Sequence, residues 1–313
     1  VRAQPDIVNA LRAAERRGVA VRGVVDSKDA ACTSFEYADT PALVATLGAD
    51  RIGCDRGSAI MHNKFFVLDS EKVWTGSTNI SDTELGGEYN SDVAVMLYSK
   101  AVAAVYEAEF EEMHSGLFHG SKSDNTTHSI DPDGFSEGTV IESYFSPTDG
   151  AIVSAVIPLI NSAHHTLDVA MFFFTSRPIA AAILDAKQRG VVVRMILDAG
   201  GAANRYSQHV TLCDNGIAVK IENWGSKSHS KWAVADAELD DAAVVFGSMN
   251  WTDSGDDKND ENTLYLRNPG VAAEFHTEFE RQWEDLLGVA VCAGGAVRDP
   301  DSARCRSRQC GTP

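Results

Sequence analysis

The chain has 313 residues, room for two domains or one duplicated unit. Its 44% hydrophobic and 23% charged residues are those of a globular chain and exclude a disordered or collagen-like one. With 27 Lys plus Arg against 45 Asp plus Glu, the net charge is −18, which excludes the broad basic field of a nonspecific nucleic-acid binder but not a local basic pocket.

In chain order, the first pattern is helical: Ile7, Leu11 and Ala14 recur at one face's spacing. Gly18 closes it, and the β-branched run Val19–Val25 predicts a strand buried on both faces. The segment Arg16–Asp26 (RRGVAVRGVVD) returns as Gln188–Asp198 (QRGVVVRMILD), identical at six of eleven positions. The second copy is also preceded by a helical pattern, Ile179, Ile183 and Ala186, and carries its own closing glycine, Gly190. Upstream of it stand a further amphipathic helix (Ile152, Val156, Leu159, Ile160) and a strand, Thr166–Phe174. The first copy has no room for these, so the sequence reads as a fragment whose first repeat lacks its N-terminal helix and strand. Leu167–Phe174, the longest apolar run near the repeat, is far short of the ~18–20 residues of a membrane helix. The expected division is 1–120 for the first repeat, 121–137 for a polar linker, 138–288 for the second repeat and 289–313 for a cysteine-containing tail.

Two signatures recur inside this duplication. His62-Asn63-Lys64 and His229-Ser230-Lys231 each open H-x-K-x₄-D, ending at Asp69 and Asp236. Gly76-Ser77-Thr78-Asn79 and Gly247-Ser248-Met249-Asn250 each read G-S-x-N. Side chains alternate along a strand, so each His points the same way as its Lys, and Asp69 and Asp236 point away as structural anchors of the following turn. A Lys is a point charge for phosphate oxygens, and a His can be nucleophile or proton donor. The Ser hydroxyls and Asn amides add hydrogen-bond donors, which predicts a phosphate site from Ser77, Asn79, Ser248 and Asn250 beside the two His and two Lys. A histidine used in this way needs a carboxylate on its far ring nitrogen. Asp92 and Glu261, each opening the strand after a G-S-x-N, are the candidates. His114, His119 and His128 fit no zinc spacing and read as loop residues. Phe172–Phe174 reads as core, while Trp224 and Trp251 flank the second motif as pocket mouth or packing.

The paired motifs resemble the phospholipase D superfamily over nearly the whole chain, from the Ile7 helix to about Trp283. The resemblance implies two pseudo-twofold-related α/β domains, each a mixed sheet flanked by helices, with one active site at their interface. It implies metal-independent phosphodiester chemistry through a phosphohistidine, without a cofactor. By it, His62, Lys64, His229 and Lys231 are catalytic, His62 as nucleophile and His229 as acid, with Asp92 and Glu261 behind them. One departure is visible: ten residues rather than six separate Asp236 from Gly247, so that hairpin is longer.

The expected substrate is a phospholipid headgroup or another phosphodiester, met at a peripheral membrane surface, with hydrolysis or transfer as the outcome. A nuclease of the same superfamily and an inactive phosphate- or lipid-binding module are the alternatives. Both half-sites in one chain predict a monomer, and acidity predicts no stable nucleic-acid partner. Acidity and the cysteines Cys292, Cys305 and Cys310 lean towards a secreted or periplasmic protein; the pairing of the six cysteines is open.

Overall fold

A computed structural model describes residues 5–29, 32–35, 40–85, 89–124 and 128–286. Among the described residues the apolar runs form thirteen strands. In the first half these are β1 (Gly23–Asp26), β2 (Ile52–Asp55), β3 (Phe65–Leu68), β4 (Lys72–Gly76) and β5 (Ala94–Tyr98). The rest are β6 (Ser129–Ile130), β7 (Val140–Ser146), β8 (Thr166–Met171), β9 (Val192–Leu197), β10 (Ala218–Ile221), β11 (Lys231–Ala235), β12 (Ala243–Gly247) and β13 (Glu261–Arg267). The stretch read as a linker thus carries β6, which pairs with β7.

The second half is one eight-stranded mixed sheet in the order β10-β9-β8-β11-β12-β13-β7-β6. β8, β9 and β10 run parallel; the others join antiparallel. Both faces are covered, so β11 and β12 are buried at every position, as parallel and mixed sheets between helices require. One face packs on the segment Ile152–Ser162 and on the helix Arg177–Gln188, whose Ser176 caps its first turn. The other packs on the helix Pro269–Asp285.

In the first half the corresponding strands form two sheets: the parallel pair β1-β2 and the antiparallel triple β3-β4-β5. In the second half β8 stands between β9 and β11; among the described residues no strand stands between β1 and β3. β1 therefore pairs only with β2, and its four residues are half-buried rather than buried on both faces as the sequence predicts. β9, flanked on both sides, buries four of its six.

The halves share a core. Val73 and Leu97 of the first half, with Val102 and Tyr106 of the helix Lys100–His114, pack with Phe145, Trp232 and Phe246 of the second. Tyr106 stacks edge-on against both Phe65 and Phe145, ring centres 5.0 and 5.2 Å away. Burial of such rings supplies roughly 1.5–3 kcal/mol each, and it fixes the halves face to face.

Cys32 and Cys54 form a disulfide that ties the loop after β1 to β2, with a sequence separation of 22. By the chain-entropy account a loop of this size is worth about 3 kcal/mol. Replacing both by Ser is expected to lower the unfolding free energy by that order, measured from urea midpoints without reductant. Cys213 is buried, and Cys292, Cys305 and Cys310 lie outside the described residues.

Candidate active site

The strand ends of the two halves meet where the motifs lie. β3 begins just after its His-x-Lys tripeptide, and β11 begins at the Lys of its own. On either side of each His, backbone groups bond across to the other half: His62 N–H donates to Asp260 O at 2.8 Å, and His229 N–H to Ser91 O at 2.8 Å. Asp260 and Ser91 are the residues immediately before Glu261 and Asp92. The crossing therefore carries each carboxylate to the opposite histidine. His62 Nδ1 lies 2.7 Å from Glu261 Oε2, and His229 Nδ1 lies 2.9 Å from Asp92 Oδ1. Linear spacing does not reveal this exchange, because it depends on the pseudo-twofold axis.

The serines of G-S-x-N fall behind the carboxylates. Ser77 Oγ donates to Asp92 Oδ1 and Ser248 Oγ to Glu261 Oε2, both at 2.7 Å. Both serines are fully buried. In this structure they orient the acids, whereas the sequence reading set them on substrate phosphate. The glycines before them are dictated by the next strand: a Cβ on Gly76 would sit 2.1 Å from Val93 O, and one on Gly247 2.1 Å from Asn262 O. No other residue lets the chain pass that close.

The asparagines differ between halves. Asn79 donates its side-chain amide to Glu84 Oε1 at 2.8 Å, and Glu84 also lies 3.6 Å from His229 Nδ1. Asn250 Oδ1 is buried with no hydrogen-bond partner among the described residues. Glu84 is thus a second carboxylate beside His229; it has no counterpart in the second half, where Gly255 stands at the equivalent place.

Lys64 and Lys231 are buried and donate to the carbonyls of His62 and His229, Lys64 at 2.6 Å. Burial lowers both ammonium groups, and Lys64 adds to the effect on Lys231, bringing it to about 7. Burial likewise holds both histidines below the ordinary imidazole range, His229 well below it with Lys231 contributing. Burial pushes Asp92 up against the opposing Ser77 hydrogen bond. Burial would also raise Glu261, but His62 and Lys64 outweigh it and pull that carboxyl down. The site therefore holds neutral imidazoles, each with Nδ1 on a carboxyl and Nε2 left for chemistry.

The motif acids lie apart from this cluster. Asp236 accepts the backbone N–H groups of His164, His165 and Thr166 at 2.7–2.8 Å, tying the turn after β11 to the start of β8. Asp69 is exposed at the end of β3.

Several residues around the site are invisible to motif reading. Phe172 is half-buried, its ring 4.7 Å from that of His229 and 4.9 Å below Lys231 Nζ, where its π-face meets the cation. Trp251, by contrast, is buried against Phe174 and belongs to the core. Trp224 lines, with Asp198, Glu222 and Lys227, a cavity of about 460 Å³ beside the second half-site. His119, read as a loop residue, bridges two buried carboxylates, Asp55 and Asp260, at 2.9 Å each. Those two hydrogen bonds raise it to about 9. Lys122 reaches the same Asp260 at 2.9 Å.

Three groups among the described residues could supply metal ligands: Asp55–His119–Asp260, Glu84–Asp92–His229 and Asp168–His276–Glu280. Lys122 already pairs with the first group and Arg194 with the third at 2.6–2.8 Å, and Lys231 acts electrostatically on Asp92 of the second. Such groups are ion-pair networks first.

Residues 3–114 and 156–283 match the family described as cardiolipin synthase, PLD-like domain. The mitochondrial cardiolipin hydrolase of Xenopus laevis is 33% identical over 138 residues, 44% of this chain and 63% of that protein. The human protein of the same name is 31% identical over 140 residues, 45% of this chain and 54% of that one. The chain thus spans little more than half the length of these relatives. The crystal structure of phosphatidylserine synthase from Haemophilus influenzae Rd KW20 superposes with a TM-score of 0.61 over 91% of this chain and 85% of that one; at 11% identity this is a likeness of fold. The relatives, named for mitochondria, overturn the lean towards a secreted or periplasmic protein. That lean rested on net acidity, which governs solubility and association rather than compartment, and on tail cysteines outside the described residues. With both repeats matched, the chain belongs to the phospholipase D superfamily.

Proposed function

We propose that the protein is a phosphodiesterase that hydrolyses a phospholipid headgroup linkage through a phosphohistidine. The observation that carries this reading is the exchange of carboxylates, which gives each histidine the same tautomer with Nε2 free. His62 Nε2 attacks phosphorus and the bond to the leaving oxygen breaks. Binding of the anionic phosphodiester opposes Lys231 and lets His229 take up a proton at Nε2, and His229 delivers that proton to the leaving oxygen. The neutral His229 then takes a proton from water, whose oxygen attacks the phosphohistidine and frees His62. Lys64, Lys231, Asn79 and Asn250 stabilise the charge on the phosphoryl oxygens. The names of the relatives make cardiolipin the first substrate to offer.

The test is headgroup release from cardiolipin vesicles and cleavage of single-stranded DNA, assayed in parallel in EDTA. The His62→Ala, His229→Ala double variant is the control. Lipid turnover lost in that variant is expected. DNA cleavage lost in the same way, with lipid untouched, would replace the lipid reading by a nuclease. Turnover that survives the double variant would sink the mechanism.

Lys231 gives a pH dependence with a definite sign. With its ammonium lowered to about 7, Lys231 is charged below that pH and neutral above it. The charged form is the one that holds phosphate, so kcat/KM is expected to fall as pH rises through about 7. Because kcat/KM reports the free enzyme, bound anionic substrate should move the corresponding limb of kcat to higher pH. Lys231→Arg, charged throughout, should lose this limb while turning over more slowly, since a guanidinium cannot reproduce the ammonium's geometry.

A further inference from the structure

We infer that Asp26 and Asp198 are positioning residues that lock the peptide in front of each reactive histidine, an inference resting on the assignment of His62 and His229 above. The two acids occupy the same place in the repeat. Each ends the RGV-type segment, Asp26 as the last residue of β1 and Asp198 just after β9. Asp26 Oδ1 accepts the N–H of Met61 at 2.9 Å, and Asp198 Oδ2 accepts the N–H of Ser228 at 3.2 Å. Met61 and Ser228 are the residues immediately before His62 and His229.

The geometry of an extended chain explains why a side chain is needed there. Successive backbone N–H groups point to opposite sides. The N–H groups of His62 and His229 point to the other half, where Asp260 and Ser91 accept them. On that same side the carbonyls of Ile60 and Lys227 accept from Asp260 N–H at 3.0 Å and Ser91 N–H at 2.8 Å. The intervening N–H groups, of Met61 and Ser228, point back towards their own half, beyond the end of β3 or β11. There a carboxylate, rather than a neighbouring strand, accepts the N–H. Each tripeptide is thus held from both sides, and a histidine held from one side alone can swing. Misplacement of a reacting group by about 1 Å costs on the order of 10²-fold.

The two acids also differ in a way that separates positioning from mere filling of space. Asp198 uses both oxygens, since Oδ1 accepts Gly201 N–H at 2.9 Å as a helix cap. Asp26 uses one oxygen on Met61 and shares a side-chain hydrogen bond with the Asp55 carboxyl. An Asn, with one acceptor, can therefore replace Asp26 more fully than Asp198.

The experiment combines ring nitrogen NMR of the two histidines with turnover of bis(p-nitrophenyl) phosphate by the full chain. In wild type, ¹⁵N shifts of His62 and His229 should each report one fixed tautomer, protonated at Nδ1. The amides of Met61 and Ser228 should exchange slowly with deuterium. Asp26→Ala should average the His62 tautomer and leave His229 fixed, with kcat down about tenfold to a hundredfold and KM unchanged. Asp26→Asn should restore the tautomer and bring kcat within about threefold of wild type, whereas Asp198→Asn should recover less. An unchanged His62 spectrum and kcat in Asp26→Ala would overturn the inference. So would rapid exchange of the Met61 and Ser228 amides in wild type, which needs no variant to fold. If wild type does not turn over the diester, the catalytic reading fails, and the tautomer and exchange data still decide whether the acids position the rings.

Discussion

His62→Ala is expected to abolish turnover, by more than about 10⁴-fold, and to abolish covalent labelling by a phosphate-labelled substrate. Removing a nucleophile leaves only binding and electrostatic stabilisation, and losses of this size are usual for such residues. His229→Ala should behave differently. With a poor leaving group it should be as inactive as His62→Ala. With a nitrophenolate leaving group, which needs no proton, it should form the phosphohistidine on His62 and stall there, because no base activates water. The half-sites support this division of labour. His229 has two carboxylates near Nδ1, Asp92 at 2.9 Å and Glu84 at 3.6 Å, which favour its charged, proton-donating form. Burial and Lys231 outweigh them and hold it neutral. A bound phosphodiester anion opposes Lys231 and lifts His229, so the acid acquires its proton with the substrate. His62 faces Glu261, with Asn259 rather than a second carboxylate at that acid's other oxygen, 3.2 Å away. Label found on His229 in the His62→Ala variant would reverse the two roles.

Much of this site was legible in the sequence because duplication prints each element twice. H-x-K and G-S-x-N recur at matching places, and an acid stands at or just before the strand after each. The strand pattern also predicts that His and Lys share a side. What stayed hidden depends on the axis between the halves. Glu261 lies 199 residues from His62, and nothing in the spacing says that it serves His62 rather than His229. Ser77 and Ser248 look like phosphate ligands in a turn, and only burial places them behind the acids. His119 looks like a loop residue until Asp260, 141 residues away, is brought to its backbone N–H at 2.8 Å. Phe172 belongs to an apolar run that reads as core, and at Phe174 that reading holds. Two residues before it, just past the end of β8, the Phe172 ring lies under Lys231.

Glu261→Gln should lower kcat by roughly 10³–10⁴-fold while leaving the fold and the lysines in place. Glu261 is fully buried, and its Oε2 receives both His62 Nδ1–H at 2.7 Å and Ser248 O–H at 2.7 Å. A carboxylate can only accept, so it fixes the proton on Nδ1 and leaves the lone pair on Nε2. A glutamine can turn its amide towards the ring and donate to Nδ1, which moves the proton to Nε2 and removes the nucleophile's lone pair. In a serine protease the equivalent change costs about 10⁴-fold by this tautomer error with the geometry intact. Here the effect should appear in phosphohistidine formation, measured in a single turnover, and not in hydrolysis of an enzyme already labelled. Asp92→Asn, acting on His229, should show the complementary pattern: near-normal labelling from a nitrophenyl diester and slow breakdown of the labelled enzyme. The two variants thus test the crossing itself. Were each acid to serve the histidine of its own half, Asp92→Asn would block labelling and Glu261→Gln would block breakdown, and the exchange of carboxylates between the halves would be wrong.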